Sequence, residues 1–320
     1  MTTFKEIRGT AIESVSSDPS NPEGGQIWYN NTIGVLKGYV LGAASWASGG
    51  NMNTARNGLG GAGTQTAGLG FGGTTTAEVA NTEEYNGSTW SPSGSLNTAR
   101  TGLGGAGTQT AGLGFGGDTN SGTATSATEK YDGSSWTASG NMGTARRLTT
   151  GCGTQTAGLC FGGFIPPNSA ATEEFNGSTW TAGGNLGTAR REPEGVGIQT
   201  AGLCFGGSPP TPGTTTATEE YDGSVWTAGG NLNTARESLG GAGTQTAALG
   251  FGGSGPTAAT EEYNGTSWTN STSMSTARRL LAGCGTQTAG LGFGGYTTVN
   301  LANTEEYTGA ALVVKKITTS

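Results

Sequence analysis

Histidine is absent from all 320 residues. With it go Ser-His-Asp and Cys-His nucleophile pairs, histidine-ligated zinc or copper, and an imidazole titrating near neutrality. Only 12% of residues are charged and the net charge is −7, so nothing is present to neutralise a run of phosphates, and nucleic acid is excluded as a partner. No stretch approaches the ~20 apolar residues of a membrane-spanning helix. The opening MTTFKEIRGT lacks the apolar core of a secretory leader, so neither membrane insertion nor conventional secretion is expected. The four cysteines include no C-x-x-C pair, and no metal or other cofactor is expected.

What is abundant is glycine, 63 residues against a hydrophobic fraction of 32%, a composition that alone suggests low complexity. Periodicity overrules it. The string GTQTAGLGFGG at Gly63 returns at Gly107 and Gly285, as GTQTAGLCFGG at Gly153, GIQTAGLCFGG at Gly197 and GTQTAALGFGG at Gly243. Around it stands a fixed frame: NTAR or a close variant, the glycine string, TEEY, an Asn-Gly or Asp-Gly pair, then tryptophan. The frame arginines, Arg56, Arg100, Arg146, Arg190, Arg236 and Arg278, are 42, 44 or 46 residues apart, a period that suits four short strands.

Strand a is predicted from about Arg56 to Gly63, a tight turn at Thr64-Gln65, strand b from Thr66 to Gly72, strand c ending at TEEY, and strand d carrying the tryptophan. The pairs beginning at Asn86, Asp132, Asn176, Asp222 and Asn264 predict two-residue type I′ hairpins between c and d, because Asn-Gly and Asp-Gly accept the positive φ angles required. Six such units without helical periodicity predict an all-β chain, a six-bladed β-propeller of four-stranded antiparallel blades. No blade could bury a core alone, so the ring is the folding domain.

The residue order has Gly-Gly ending strand b and an aromatic ending c (Tyr85, Tyr131, Phe175, Tyr221, Tyr263, Tyr307), then Trp in d and Arg opening the next a. It resembles the kelch repeat from about Trp46 to Tyr307. The resemblance implies the fold and is nearly silent on function, since kelch-like propellers host enzymes, scaffolds and adhesins. The propeller is expected over residues 46–320, after an N-terminal extension of residues 1–45. Seven segments compete for six d positions. Trp46 is expected to complete the last blade, because the linker from Trp46 to Arg56 copies the internal d-to-a linkers; closure by AALVVKKI from Ala310 is the alternative.

Two strings, GLGGAG at Gly58 and at Gly102, satisfy the dinucleotide fingerprint, but no helix follows them and other copies lose the pattern. Alternation along strand b instead puts Ala67, Leu69 and Phe71 on one face and Gly68, Gly70 and Gly72 on the other. The bare face of one blade is expected to receive Leu and Phe from its neighbour. Cys160 and Cys204 take the place of Gly70, and Cys152 and Cys284 that of Ala62, so they read as buried free thiols in small-residue slots. In Glu83-Glu84, Glu173-Glu174, Glu219-Glu220, Glu261-Glu262 and Glu305-Glu306, with Glu129-Lys130 as the exception, neighbouring side chains face opposite ways. Such a repeat suits contact with the six arginines better than an acid-base pair. Those arginines are expected near the channel mouth in a mainly structural role. The sequons at Asn86, Asn176 and Asn264 are sufficiently explained as turns.

Between FGG and TEEY lie TTTAEVAN, DTNSGTATSA, FIPPNSAA, SPPTPGTTTA, SGPTAA and YTTVNLAN, of 8, 10, 8, 10, 6 and 8 residues. All length variation between the arginines sits in these b-to-c connections, in steps of two that preserve strand register. They should emerge on the same face as the channel mouth and the residue after each arginine. Phe164, Ile165, Pro166, Pro167, Pro209, Pro210, Pro212, Tyr296 and Val299 are therefore expected to form the ligand-binding surface.

Within residues 1–45, PEGGQIWYNNTIGVLKGYV resembles a short β motif of bacteriophage tail and fibre proteins, matched at Gly25, Ile27, Trp28, Tyr29, Asn30, Leu36 and Lys37. The resemblance implies a non-enzymatic virion protein, in a tail fibre, tail tip or capsid decoration. Residues 1–45 would attach it to other virion proteins through Ile27, Trp28, Tyr29 and Asn30. The propeller would then bind host-surface glycan or protein, with homo-oligomerisation within the virion as a further expectation. A polysaccharide-acting propeller enzyme and a bacterial scaffold or adhesin are the alternatives; copper chemistry of the galactose-oxidase type lacks its histidines here.

Overall fold

The computed structural model describes residues 12–21, 23–119 and 122–317, and every regular element among them is a β-strand. The chain divides into two units, Ser45–Thr308 and Met1–Ala44 together with Gly309–Ser320.

Ser45–Thr308 is a β-propeller of six four-stranded antiparallel sheets. In the first blade strands a to d are Gly60–Thr64, Ala67–Phe71, Thr82–Tyr85 and Trp90–Ser93. The following blades repeat the pattern from Gly104–Thr108, Thr150–Thr154, Glu194–Ile198 and Gly240–Thr244. The sixth joins Ala282–Thr286, Ala289–Phe293 and Thr304–Thr308 to Ser45–Ser48. Trp46 stands opposite Tyr307, as Trp90 stands opposite Tyr85, so Trp46 closes the ring. Each a strand lies beside the a strands of the blades before and after it, the last beside the first.

Two turn expectations are corrected. The a-to-b turn falls at Gln65-Thr66, because Thr64 pairs with Ala67. The c-to-d connection spans four residues, Asn86 to Thr89, between paired Tyr85 and Trp90. Gly87 alone takes positive φ there (89°), while Asn86 Oδ1 accepts the Ser88 and Thr89 amides at 3.0 and 2.9 Å. The asparagine serves as a side-chain acceptor and has no need of a left-handed backbone.

Neighbouring blades interlock through the bare face of strand b. A Cβ on Gly112 would lie 2.7 Å from Leu69 Cδ2, and one on Gly114 3.0 Å from Phe71. Three polar contacts repeat across the interfaces. Gln109 Nε2 donates to Gly68 O and Tyr85 O of the preceding blade, and Gln65 makes the corresponding bonds to Gly290 O and Tyr307 O across the closure. Trp136 Nε1 donates to Thr82 Oγ1, and Trp46 to Thr260 Oγ1. The hydroxyls of Tyr85, Tyr131, Tyr221 and Tyr263 each reach the second glutamate of the preceding blade at 2.5 Å, and Tyr307 reaches Glu262 likewise. The exception is coordinated: Phe175 has no hydroxyl, and the residue before it in this series is Lys130, which donates to Gly177 O.

The second unit is one sheet in the order Glu13–Val15, Ile27–Asn30, Val35–Leu41, Leu312–Lys316. The C-terminal strand pairs with Val35–Leu41, setting Val314 opposite Tyr39. The boundary expected at 46–320 is therefore corrected to Ser45–Thr308, with the last segment folded beside the first. Asp18 organises this sheet, accepting Trp28 Nε1 and Asn30 Nδ2 at 3.1 Å and Lys37 Nζ at 2.8 Å. These partners hold its carboxyl below the ordinary range.

Candidate functional site

The six frame arginines are enclosed and none lines the channel, which corrects their expected place at its mouth. Arg100 Nη1 donates to Gly116 O and Ala127 O at 2.8 Å, and Nη2 meets Glu129 Oε1 at 2.8 Å. Each of the others pairs with the first glutamate of its own blade, so the two glutamates of a repeat do face opposite ways: one toward arginine, one toward the next blade's tyrosine. Burial lowers the pKa of Arg56 and Arg278 to about 10, which leaves both charged at neutral pH. The arginines read the backbone of strand b and hold it to strand c, a structural task.

The channel mouth is built by the residue two places after each arginine: Gly58, Gly102, Leu148, Glu192, Ser238 and Leu280, all at φ between 51° and 61°. In this left-handed conformation five of the six amides form a belt around the axis, open between Gly102 and Leu148. Gly58 N–H donates to Leu280 O at 2.9 Å, Gly102 to Gly58 O at 2.8 Å, Glu192 to Leu148 O at 2.9 Å, Ser238 to Glu192 O at 3.1 Å, and Leu280 to Ser238 O at 2.9 Å. The bond pattern over-determines a conformation that costs an L-residue about 1–2 kcal/mol. The GLGGAG string from Gly58 to Gly63 is thus channel rim and strand a, with no helix behind it.

The channel, about 120 Å³, is asymmetric in charge. Blade 4 alone contributes two acids, Glu192, whose carboxyl accepts the Ser238 hydroxyl, and Glu194, at a position where other blades have Gly, Thr or Ala. Desolvation pushes the Glu194 carboxyl up to about 8, against a smaller opposing effect of the Gly195 and Gly241 amides. The folded chain then holds a proton that an unfolded glutamate releases near its ordinary value of 4.5. Stability contributed by this group is complete below that value and falls as pH rises toward 8. Glu194→Gln is expected to remove this slope, so that the variant gains in melting temperature over wild type between pH 5 and pH 8. Parallel melting curves for the two proteins across that range would refute the assignment.

All four cysteines are buried and free. Burial raises each thiol, to about 12 for Cys204 and Cys284, which leaves little thiolate for reaction. Among the described residues no cluster of three or more metal-binding side chains occurs.

The variable connections start beside the residue following each arginine, as paired backbone bridges at Asn57–Thr74, Thr101–Asp118, Arg147–Phe164, Arg191–Ser208 and Arg279–Tyr296. The loops of blades 3 and 4 meet in a cavity of about 310 Å³ that brings together Phe164, Pro167, Pro209, Pro210 and Pro212 with Asn168 and Arg191. Ile165 and Pro166 belong to the same loop without lining the cavity. Tyr296 and Val299 stand apart in the loop of blade 6, Tyr296 beneath the Arg279 guanidinium at 5.6 Å and Val299 60% exposed. Sequence reasoning missed Arg191 and Asn168, although Arg191 follows a frame arginine directly, in the slot expected to face the loops.

Of the four residues expected to attach the small unit, Trp28 and Asn30 are buried within their own sheet, Ile27 is half-buried, and Tyr29 is 41% exposed. Only Tyr29 among them presents a large surface to a partner.

Taken together, the geometry defines a class: a repeat propeller whose blade contacts recur around the ring and whose one face carries unequal loops. Compared with known proteins, the chain matches no family model and no curated protein.

Proposed function

We propose that this chain is a non-enzymatic, kelch-like structural protein of a bacteriophage particle, displaying its propeller for host-surface binding. The observation that carries the reading is the distribution of sequence difference. Arg–Glu pairs, Trp–Thr bonds and Gln–carbonyl bonds recur around the ring. The loops, which no blade contact requires to differ, instead gather Phe164 and four prolines around one cavity. Loop residues on a rigid scaffold are where recognition resides. The sheet of strands Glu13–Val15, Ile27–Asn30, Val35–Leu41 and Leu312–Lys316 supplies the attachment unit in this reading, with Tyr29 its exposed aromatic.

Replacing both FIPPNSAA and SPPTPGTTTA by SGPTAA tests the binding face. The blades keep their contacts, so the protein is expected to fold and assemble into particles, while host attachment falls at least tenfold. Unchanged attachment by the swapped protein would rule out this face, and failure to find the chain in purified particles would rule out the virion assignment.

A further inference from the structure

We infer that the cavity between the loops of blades 3 and 4 binds a single carboxylated sugar ring, through the Arg191 guanidinium and the apolar wall opposite it. The inference deepens the proposed host-surface reading and rests on it for biological context, though not for its chemistry.

The first observation is an unused cation. Arg191 lines the cavity, and among the described residues its guanidinium has no hydrogen-bond or ion-pair partner; its Nε is buried without one. Arg147, by contrast, is committed to Asp118 at 2.7 Å. Both guanidinium groups lie against Phe164, at 5.2 Å for Arg147 and 5.9 Å for Arg191, which holds the free one in place without consuming its donors. Glu237 feels the Arg191 charge, but burial and the neighbouring Glu192 raise its carboxyl, and its Oε2 is buried without a hydrogen bond, so Arg191 makes no contact pair with it. An arginine with open donors in a cleft is suited to a carboxylate, which accepts two parallel N–H bonds.

The second observation is shape. A cavity of about 310 Å³ is at the small end for ligand sites and accommodates one ring, with Phe164 and the prolines offering apolar surface to its C–H face. An extended peptide would need main-chain donors and acceptors to pair with. Beside the guanidinium they are spent: Arg191 and Ser208 exchange both backbone bonds, Asn168 Nδ2 donates to Ser208 O, and Ser208 Oγ donates to Gly213 O. What faces a ligand there is the one cation and an apolar wall, with Thr211 beside it.

Titration calorimetry on the full chain at low salt tests this with paired probes: glucuronate, galacturonate and N-acetylneuraminate against glucose, galactose and N-acetylglucosamine. At least one carboxylated sugar is expected to bind ten times more tightly than every neutral one. Arg191→Gln should abolish that preference, Arg191→Lys should retain part of it, and Arg279→Gln, outside the cavity, should leave it intact. Equal binding of the two groups, no binding of any probe, or a preference that survives Arg191→Gln overturns the inference. The two readings fail separately. Loss of attachment on loop replacement without carboxylate preference sinks only the ligand class; carboxylate preference with attachment unaffected by the loops sinks only the host-binding role.

Discussion

Replacing Arg100 by methionine is expected to destabilise the propeller by about 3–5 kcal/mol, the cost of leaving a buried partner charge uncompensated. Arg100 is fully enclosed and Glu129 only 4% exposed at its side chain. The substitution strands the Glu129 carboxylate and leaves the Gly116 and Ala127 carbonyls without the donors that bridge strands b and c. Removing Glu129 as well should recover much of the loss, since an apolar pair of similar volume avoids the desolvation that burial of two ions imposes. Recovery should stop short of wild type, because Glu129 also accepts the Asn97 amide at 2.7 Å and its side chain at 2.6 Å, fixing the approach to the arginine. Screening reaches a buried pair weakly, so the difference between Arg100→Met and wild type should persist in 1 M salt. Denaturant unfolding of the two variants measures both steps; an Arg100→Met protein within 1 kcal/mol of wild type would show that the contact is worth no more than a surface pair.

The same contacts show how far the sequence alone could be read. The interlocking of bare and bulky faces follows from the alternation of Ala67 to Gly72, and closure by Trp46 follows from a linker that copies the internal ones. The glutamate pair was legible in part: one carboxylate per repeat meets arginine, and strand alternation required the other to face away. The target of that other carboxylate was present as two coincident exceptions, Lys130 where glutamate is the rule and Phe175 where tyrosine is. Strand periodicity treats each position separately and does not connect residues in successive blades. The arginines were placed wrongly because their position before strand a suggests an opening, whereas the long side chain folds back onto the carbonyls of Gly72, Gly116 and their equivalents. Pairing of Leu312–Lys316 with Val35–Leu41 joins segments far apart in sequence, and Asp18 lies outside the motif whose Trp28, Asn30 and Lys37 it binds. Neither fact leaves a periodic trace.

Gly283→Ala is expected to cost about 3 kcal/mol or more, although it adds a single methyl group, while Gly290→Ala a few residues on should cost less than about 1 kcal/mol. The difference lies in what the new carbon meets. At Gly283 it would stand 2.4 Å from Gly241 O and 2.7 Å from Gly241 N, backbone atoms of the neighbouring a strand. At Gly290 the nearest atom is Leu249 Cδ2 at 2.8 Å, the end of a side chain that can rotate, and blade 5 already has Ala248 at the equivalent place against its own neighbour. The a strands surround the axis as a closed set, so a displacement of one is passed to both neighbours and strains the amide belt at the rim, where an open sheet would relax at its edge. The six copies agree with this ordering: the place of Gly283 is glycine in every blade (Gly61, Gly105, Gly151, Gly195, Gly241), whereas those of Gly290 and Gly292 admit alanine and cysteine. Chemical unfolding of the two variants beside wild type decides the matter. Equal losses would mean that glycine is required by strand b alone, and a larger loss at Gly290 would place the tightest contact in the blade faces, away from the axis.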